Sequence, residues 1–586
     1  MSNHVTKIFH KIWGGFAFPH KTIRFRWIDF VLVLGIAGIF YGLVSVKREW
    51  TGILYPAAEI DLSPWALPKY TFFSMVRGIV AYALSLAFTI VYGYWAAKDK
   101  IAEKVLVPLL DILQSVPVLG FMPGLVLTLV GLFHRSNIGL ELAAIVMIFT
   151  GQVWNMTFSF YNSLRTVPAD MRQAANTFSF GWWQTLKWVE VPHAAIGLIW
   201  NSMMSMAGGW FFLMISEAFV LGHNDFRLPG VGSYMSVAVN QGNFTAMAYA
   251  ITAMVIMIVF LDMFLWRPIV AWSQKFKIEE TGAVLAASSF FLNWLRKAGF
   301  LRNIGAFFRY LADYCASYLF PKNKARVEGE SFRKIHFPFR VFVWMMYAAF
   351  IGLFGLGCWK LCYMLKALSL SNWYQMLQYG GLTLARVLSA VAIGTLWTLP
   401  AGLAIGLSPK LSRIFQPVIQ IVASFPAPML FIPIIIFLQV VGVALDFGSV
   451  VLMLLGTQWY ILFNVIAGAM SIPADLREAS MLYKMSLWRR LKDLYIPAVF
   501  PFLVTGWVTA AGGAWNASIV SEYVVLRGRT LTAYGLGAMI SQAAEKADFA
   551  LLTGAVLTMS IFVVVFNRVV WRSLYNIAQK RYALGE

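Results

Sequence analysis

Apolar runs of about 20 residues follow one another along this chain, separated by short stretches that hold much of its charge. A helix of that length rises about 30 Å, the thickness of the hydrocarbon layer of a membrane. The runs predict spans at about 30–46, 72–96, 105–133, 140–164, 191–221 and 244–266, and again at about 340–366, 380–407, 413–442, 448–470, 496–525 and 548–571. A polar stretch with Pro56, Pro64 and Pro68 separates the first two. Six spans per half is an even number, so both halves enter the membrane in one direction and are related by an axis along its normal. The expectation is an all-α membrane protein of two tandem six-span helical units, about 12 transmembrane helices. Residues 28–268 form the first unit and 339–573 the second. A basic interfacial segment (1–27) precedes them, a basic amphipathic linker (269–338) joins them, and a tail (574–586) follows.

Composition agrees. Hydrophobic residues make up 60% and charged residues 12%, and mean hydropathy is +0.69, whereas a soluble domain carries about 25% charge. The net charge of +21 fits Lys and Arg in cytoplasmic loops and against lipid headgroups, and does not call for nucleic acid. Lys98, Lys100, Lys104, Lys410 and Arg413, with Arg165, Lys187, Lys484, Arg489, Arg490 and Lys492, fall on one side of the predicted spans. That side, with both termini, is expected to be cytoplasmic. The linker alternates cations with Phe, Trp and Leu between Phe290 and Phe320, as interfacial helices do, and Pro321–Glu330 reads as a flexible loop. Cys315, Cys358 and Cys362 show no metal or disulfide spacing. Cys358 and Cys362 share a face of an apolar run, which reads as two inert small hydrophobes. The seven histidines are scattered, so no metal site is expected.

The chain repeats itself. Pro168-Ala-Asp-Met-Arg-Gln-Ala-Ala175 returns 305 residues later as Pro473-Ala-Asp-Leu-Arg-Glu-Ala-Ser480. Trp183 pairs with Trp488, Pro192 with Pro497, Gly208 with Gly513, Trp210 with Trp515 and Glu217 with Glu522. Upstream the spacing is 309: Arg77 with Arg386, Thr89 with Thr398, Ser115 with Ser424 and Pro117 with Pro426. Such self-similarity marks a fold built twice.

Each repeated charged island opens on Pro followed by Asp, which suits a helix start. It then offers a patch of small residues, Ala174-Ala175 and Ala479-Ser480, that another protein's groove can approach closely. Here the sequence resembles the cytoplasmic loop signature of importer-type ABC transporter permeases. The matched stretches are Gln173-Ala174-Ala175, Ser179 and Val189-Glu-Val191-Pro192 in one copy, and Glu478-Ala479-Ser480, Lys484 and Leu494-Tyr-Ile496-Pro497 in the other. The flanking Thr383-Leu-Ala-Arg386, Ser424-Phe-Pro426-Ala-Pro428, Gly512-Gly-Ala-Trp515, Gly535-Leu-Gly537 and Leu228-Pro-Gly-Val-Gly232 resemble the nitrate/sulfonate/taurine/bicarbonate branch, over about 70–268 and 378–573. Members of this branch usually carry one domain, so two fused in tandem is a departure. The signature glycine is Ser179 in one copy and Lys484 in the other. If it supplies a left-handed turn, a side chain there costs about 1 kcal/mol, which favours a shift of the turn toward Gly181.

The resemblance implies a permease subunit forming both halves of the pathway for a small solute, an anion such as nitrate, bicarbonate or a sulfonate. It implies two ABC ATPase subunits that carry ATP and Mg, and an extracytoplasmic solute-binding protein, in a bacterial inner membrane. The chain has no G-x-x-x-x-G-K-[ST] phosphate loop, so ATP hydrolysis is expected on a separate chain and this one is not an enzyme. The coupling residues it implies are Arg172, Gln173, Ala174, Ala175, Ser179 and Gly181, with Arg477, Glu478, Ala479, Ser480, Lys484 and Ser486.

Candidate pathway residues are the acids and breaks within spans. Glu217 and Glu522 either pair with Arg77 and Arg386 or contact solute, and either arginine would attract an anion. Ser115-Val-Pro117 and Ser424-Phe-Pro426 break the third spans, as packing kinks or as sites that bond a solute. Trp210 and Trp515 follow glycine pairs, which favours core packing. A secondary transporter with parallel six-span repeats is the competing class. The doubled island and the scarcity of acids within spans for ion coupling argue against it. A membrane enzyme would need converging His, Asp or Glu, and none is visible.

Overall fold

The computed structural model describes residues 27–52, 59–133, 136–221, 224–276, 290–292, 352, 355–526 and 529–582. The first half runs α1 (Trp27–Trp50), α2 (Leu67–Lys98), α3 (Lys100–Ser115), α4 (Val118–Leu132), α5 (Ile138–Arg165), α6 (Ala169–Thr177), α7 (Trp182–Thr185), α8 (Val191–Glu217), α9 (Val231–Asn240), α10 (Phe244–Leu261) and α11 (Arg267–Ser273). The second half repeats this order from α2 onward: α12 (Leu370–Leu407), α13 (Pro409–Ala423), α14 (Pro428–Val441), α15 (Leu445–Met470), α16 (Ala474–Leu482), α17 (Leu487–Arg490), α18 (Ile496–Ser521), α19 (Leu536–Glu545), α20 (Phe549–Phe566) and α21 (Arg572–Tyr582). Among the described residues, two small hairpins are added to this helical plan, Val220–Leu221 with Asn224–Asp225 and Tyr523–Leu526 with Arg529–Thr532.

Eight helices among the described residues are long and apolar enough to cross a membrane, or nine if one bent pair is counted as a span. The predicted first span coincides with α1. Residues 1–26, most of the linker and the start of the 340–366 span lie outside the described residues. Residues 355–365 are helical, and Cys358 and Cys362 are exposed there.

The third span of each half is not one rod. In the second half α13 and α14 meet at 87°, with Ser424-Phe-Pro426 at the corner. In the first half α3 ends at Ser115 and α4 begins after Pro117. Proline has no N–H to continue the ladder, so the chain turns there. The turned helices pack across the halves. An added Cβ on Gly120 of α4 would stand 2.7 Å from Val556 of α20, so that helix lies close against its neighbour.

Within each half, α2, α5 and α8, or α12, α15 and α18, form the packed core. Pro192 and Pro497 stand at the starts of α8 and α18, and each follows a π-helical turn, Leu186–Glu190 and Leu491–Tyr495. A proline ring clashes with the carbonyl four residues back, and the wider turn accommodates it.

Candidate functional site

The islands fold as the repeat predicts. Pro168 and Pro473 cap α6 and α16, and Asp170 and Asp475 sit in the first turns. Gln173, Ala174 and Glu478 are exposed and Ala479 is half-buried, whereas Ala175 and Ser480 are buried. The small pair is therefore split: its first member faces outward and its second packs inward. Arg172 is spoken for, because its guanidinium donates to the Leu164 and Arg165 carbonyls at 3.0 and 3.2 Å and closes the end of α5. Arg477 has no such bonds, and its Nε is buried without a partner.

The left-handed turn stays at the signature position. Ser179 has φ 53° and Lys484 φ 51°, while Gly181 is extended and caps α7, with Gln184 reaching back to its N–H at 3.0 Å. Ser486 does the same work for α17 with its own hydroxyl. The expected shift to Gly181 does not occur. The bonds from Phe180 N to Ala175 O (2.9 Å) and from Met485 N to Ser480 O (3.1 Å) close a Schellman turn that fixes the left-handed residue. Ser179→Gly and Lys484→Gly should each stabilise the chain by about 0.5–1 kcal/mol, read as a small rise in thermal midpoint.

At the opposite end of the core each half holds one buried charge cluster. Arg77 donates to Glu141 through Nε (2.6 Å) and Nη2 (2.7 Å), and through Nη1 to Glu217 (2.7 Å) and the Pro229 carbonyl (2.8 Å). Glu217 also accepts from Ser74 Oγ at 2.7 Å and from the Gly232 N–H at 2.8 Å. The second half repeats this with Arg386, Asp446 and Glu522, joined by Thr383 Oγ1, the Gly537 N–H and the Tyr534 carbonyl. The carboxylates thus lie at the N-termini of α9 and α19, where free N–H groups and the helix dipole favour negative charge. Pairing of Glu217 with Arg77 and of Glu522 with Arg386 was legible in the repeat. Glu141 and Asp446 were missed, although they are themselves 305 apart.

Among the described residues, two sizeable cavities lie between the halves, beside a third of about 10 Å³ lined by Trp210 and Ser424 among others. A central one of about 140 Å³ is lined by α5, α8, α15 and α18 with the corners of the broken spans, including Pro426. A larger one of about 550 Å³ opens between α9 and α19. Val118 and Ala427 line the first, and their neighbours Leu119 and Pro428 line the second, so the starts of α4 and α14 form the wall between them. The Val118 N–H, an orphan donor at a helix start, is satisfied by Asn516 Oδ1 of the other half at 2.8 Å. The matching residue in the first half is Phe211, which cannot accept such a bond.

Arg77, Glu217, Arg386 and Glu522 line neither cavity. Trp210 and Trp515 are 2% exposed, and Trp210 lies against Gly78, where an added Cβ would stand 2.6 Å from its ring. Ser424 spends its hydroxyl on the Gln420 carbonyl at 2.7 Å. Ser115 ends α3 and Pro117 is buried beside it. Sequence reasoning overlooked the cavity's own polar residues, Gln114, Asn155, Tyr460 and Asn516. Asn155 and Tyr460 occupy matched positions, and their difference in type hid the match.

A doubled helical core, a cavity on its pseudo-twofold axis and two outward-facing helices at one end define a multi-pass membrane transport protein. The chain belongs to the family of binding-protein-dependent transport system inner membrane components, which it matches twice, over residues 89–267 and 394–582. It is similar to a bicarbonate transport system permease protein of Synechococcus elongatus, with 26% identity over 162 residues covering 26% of this chain and 57% of that protein. A taurine transport system permease protein of Escherichia coli is 24% identical over 168 residues, covering 29% and 58%. A nitrate import permease protein of Synechococcus elongatus is 27% identical over 146 residues, covering 24% and 51%. The chain therefore spans a little over half the length of these curated relatives. An inward-facing structure of the MetNI methionine ABC transporter aligns with a TM-score of 0.31 and 20% identity, covering 36% of this chain and 99% of that one.

Proposed function

We propose that this chain is the membrane subunit of an ATP-driven ABC importer and supplies both halves of the translocation pathway for a small solute. The observation that carries the reading is the pair of islands, each presenting a short exposed helix at the same end of a repeated core, in a chain that matches the permease family twice. Gln173 and Ala174, and Glu478 and Ala479, then dock in the grooves of two ATPase subunits on the cytoplasmic side. ATP and Mg belong to those subunits. A solute-binding protein delivers its cargo at the end where α9 and α19 lie, in the bacterial inner membrane, with both termini of this chain cytoplasmic.

The mechanism follows from stiffness. Each island helix follows its core helix after only three residues, and in the first half Arg172 ties the two together, so force on the islands is passed to the core helices rather than absorbed in a loop. The clusters around Arg77 and Arg386 fix α9 and α19 to those same helices at the far end. Closure of the ATPases at the islands therefore moves both walls of the larger cavity. The starts of α4 and α14, which separate the cavities, are the parts that must part for a solute to pass.

The test is co-purification. A tagged full-length chain extracted gently from its native membrane should carry a stoichiometric ATPase. Ala174→Trp together with Ala479→Trp should release it, because indole rings at the outward small positions prevent close approach. A chain that emerges alone and transports on an ion gradient without ATP would be a secondary transporter instead.

A further inference from the structure

The central cavity carries a chemical signature that the islands and the charge clusters do not explain. None of the residues lining it is charged. Its walls are aromatic, with Trp154 and Trp459 at matched positions and Phe211, Phe212 and Phe425 beside them. Three polar groups on that wall have no protein partner: the Asn155 amide, the Tyr460 hydroxyl and Gln114 Oε1, the last fully shielded. The neighbouring Thr150, Thr457 and Thr509 spend their hydroxyls on backbone carbonyls of their own helices. Tyr460 reaches across the axis. An added Cβ on Gly208 of the first half would stand 3.2 Å from its hydroxyl, and one on Gly513 would stand 3.4 Å from its ring.

We infer that this cavity is a waypoint for a solute without net charge, about the bulk of one six-membered ring, with a flat apolar face and a hydrogen-bonding edge. The volume of about 140 Å³ is close to the roughly 150 Å³ that holds a benzene molecule in an engineered protein cavity. Aromatic walls favour a flat face. The Asn155 amide and the Tyr460 hydroxyl each donate and accept, so the two serve both the oxygen and the N–H of the solute's polar edge. An anion fares worse. Leaving water costs a lone ion several kcal/mol, and no cation lines either cavity to offset that. Arg77 faces two carboxylates, as does Arg386, so neither has charge to spare. The charged side chain on the larger cavity is Glu545, bonded by the Tyr523 hydroxyl. This inference deepens the importer reading and rests on it for the direction of travel, not for the binding itself.

The test uses benzamide as the probe, on the full-length chain in lipid nanodiscs, by saturation-transfer NMR. Saturable binding is expected, with a large excess of nitrate failing to displace it. Tyr460→Phe, which removes one oxygen and little else, should weaken the probe about five-fold, the worth of one hydrogen bond near 1 kcal/mol. Asn155→Leu should do the same in protein whose elution and thermal midpoint match the parent. Absence of saturable binding, displacement by nitrate, or unchanged affinity in both variants would overturn the assignment. Because no ATPase enters the measurement, its result is independent of the co-purification outcome.

Discussion

Arg77→Met should destabilise the chain by about 3–5 kcal/mol, the usual result of stripping one partner from a buried charge cluster. The guanidinium is 1% exposed and both carboxylates it holds are 0% exposed. Without it Glu141 and Glu217 face one another in a dry site with no cation. The matched cluster supplies an internal comparison. Arg386 is 10% exposed and Asp446 44%, so water solvates that acid and Glu522, at 0%, is the one dry carboxylate the arginine leaves behind. Arg386→Met should therefore cost roughly half as much. Thermal midpoints of the two variants in the same lipid would read the difference. Equal losses would mean that burial does not set the energetics of these clusters.

Gly230→Ala should cost about 2–4 kcal/mol by expelling Glu217 from the same cluster. The glycine is extended at φ −178°, a conformation open to any residue, so the cost is not backbone strain. It is collision: an added Cβ would stand 2.2 Å from the Glu217 carboxyl carbon. The carboxylate must then leave the Gly232 N–H and the guanidinium together. Gly535→Ala meets Glu522 at the same 2.2 Å and should behave alike. In a Glu217→Ala background the added methyl has room, so Gly230→Ala should cost almost nothing there. A double-mutant cycle on thermal midpoints measures that coupling. Additive losses would show that the glycine serves another purpose.

Much of this architecture was legible because apolar length and self-similarity are properties of the chain itself. Eight of the twelve predicted spans, the doubled plan, the islands and the Arg–Glu pairing all follow from residue type and spacing. The breaks at Ser115–Pro117 and Ser424–Pro426 were visible as prolines, but the 87° corner was not, because a proline marks where a helix stops and not the direction the next one takes. The Ser179 and Lys484 turns were misjudged for a similar reason: intrinsic preference disfavours them, and the bonds that close the turn outweigh it. Glu141 and Asp446 escaped because each lies in the first turn of a span, where an acid is unremarkable until a guanidinium arrives from 64 or 60 residues away. The cavity's polar set was least legible. Gln114, Asn155 and Tyr460 have no common spacing, and what unites them is a space between helices.

Joining the two halves in one polypeptide changes what a substitution means. In a pair of identical subunits every replacement strikes both walls of the pathway and both docking helices at once. Here Asn155 differs from Tyr460, Gln173 from Glu478 and Phe211 from Asn516, and each is encoded separately. Heredity can therefore specialise one flank while holding the other constant. The same property hands the experimenter a one-sided perturbation without mixing subunits: a lesion at Tyr460 or Asn516 leaves its counterpart intact inside the same molecule.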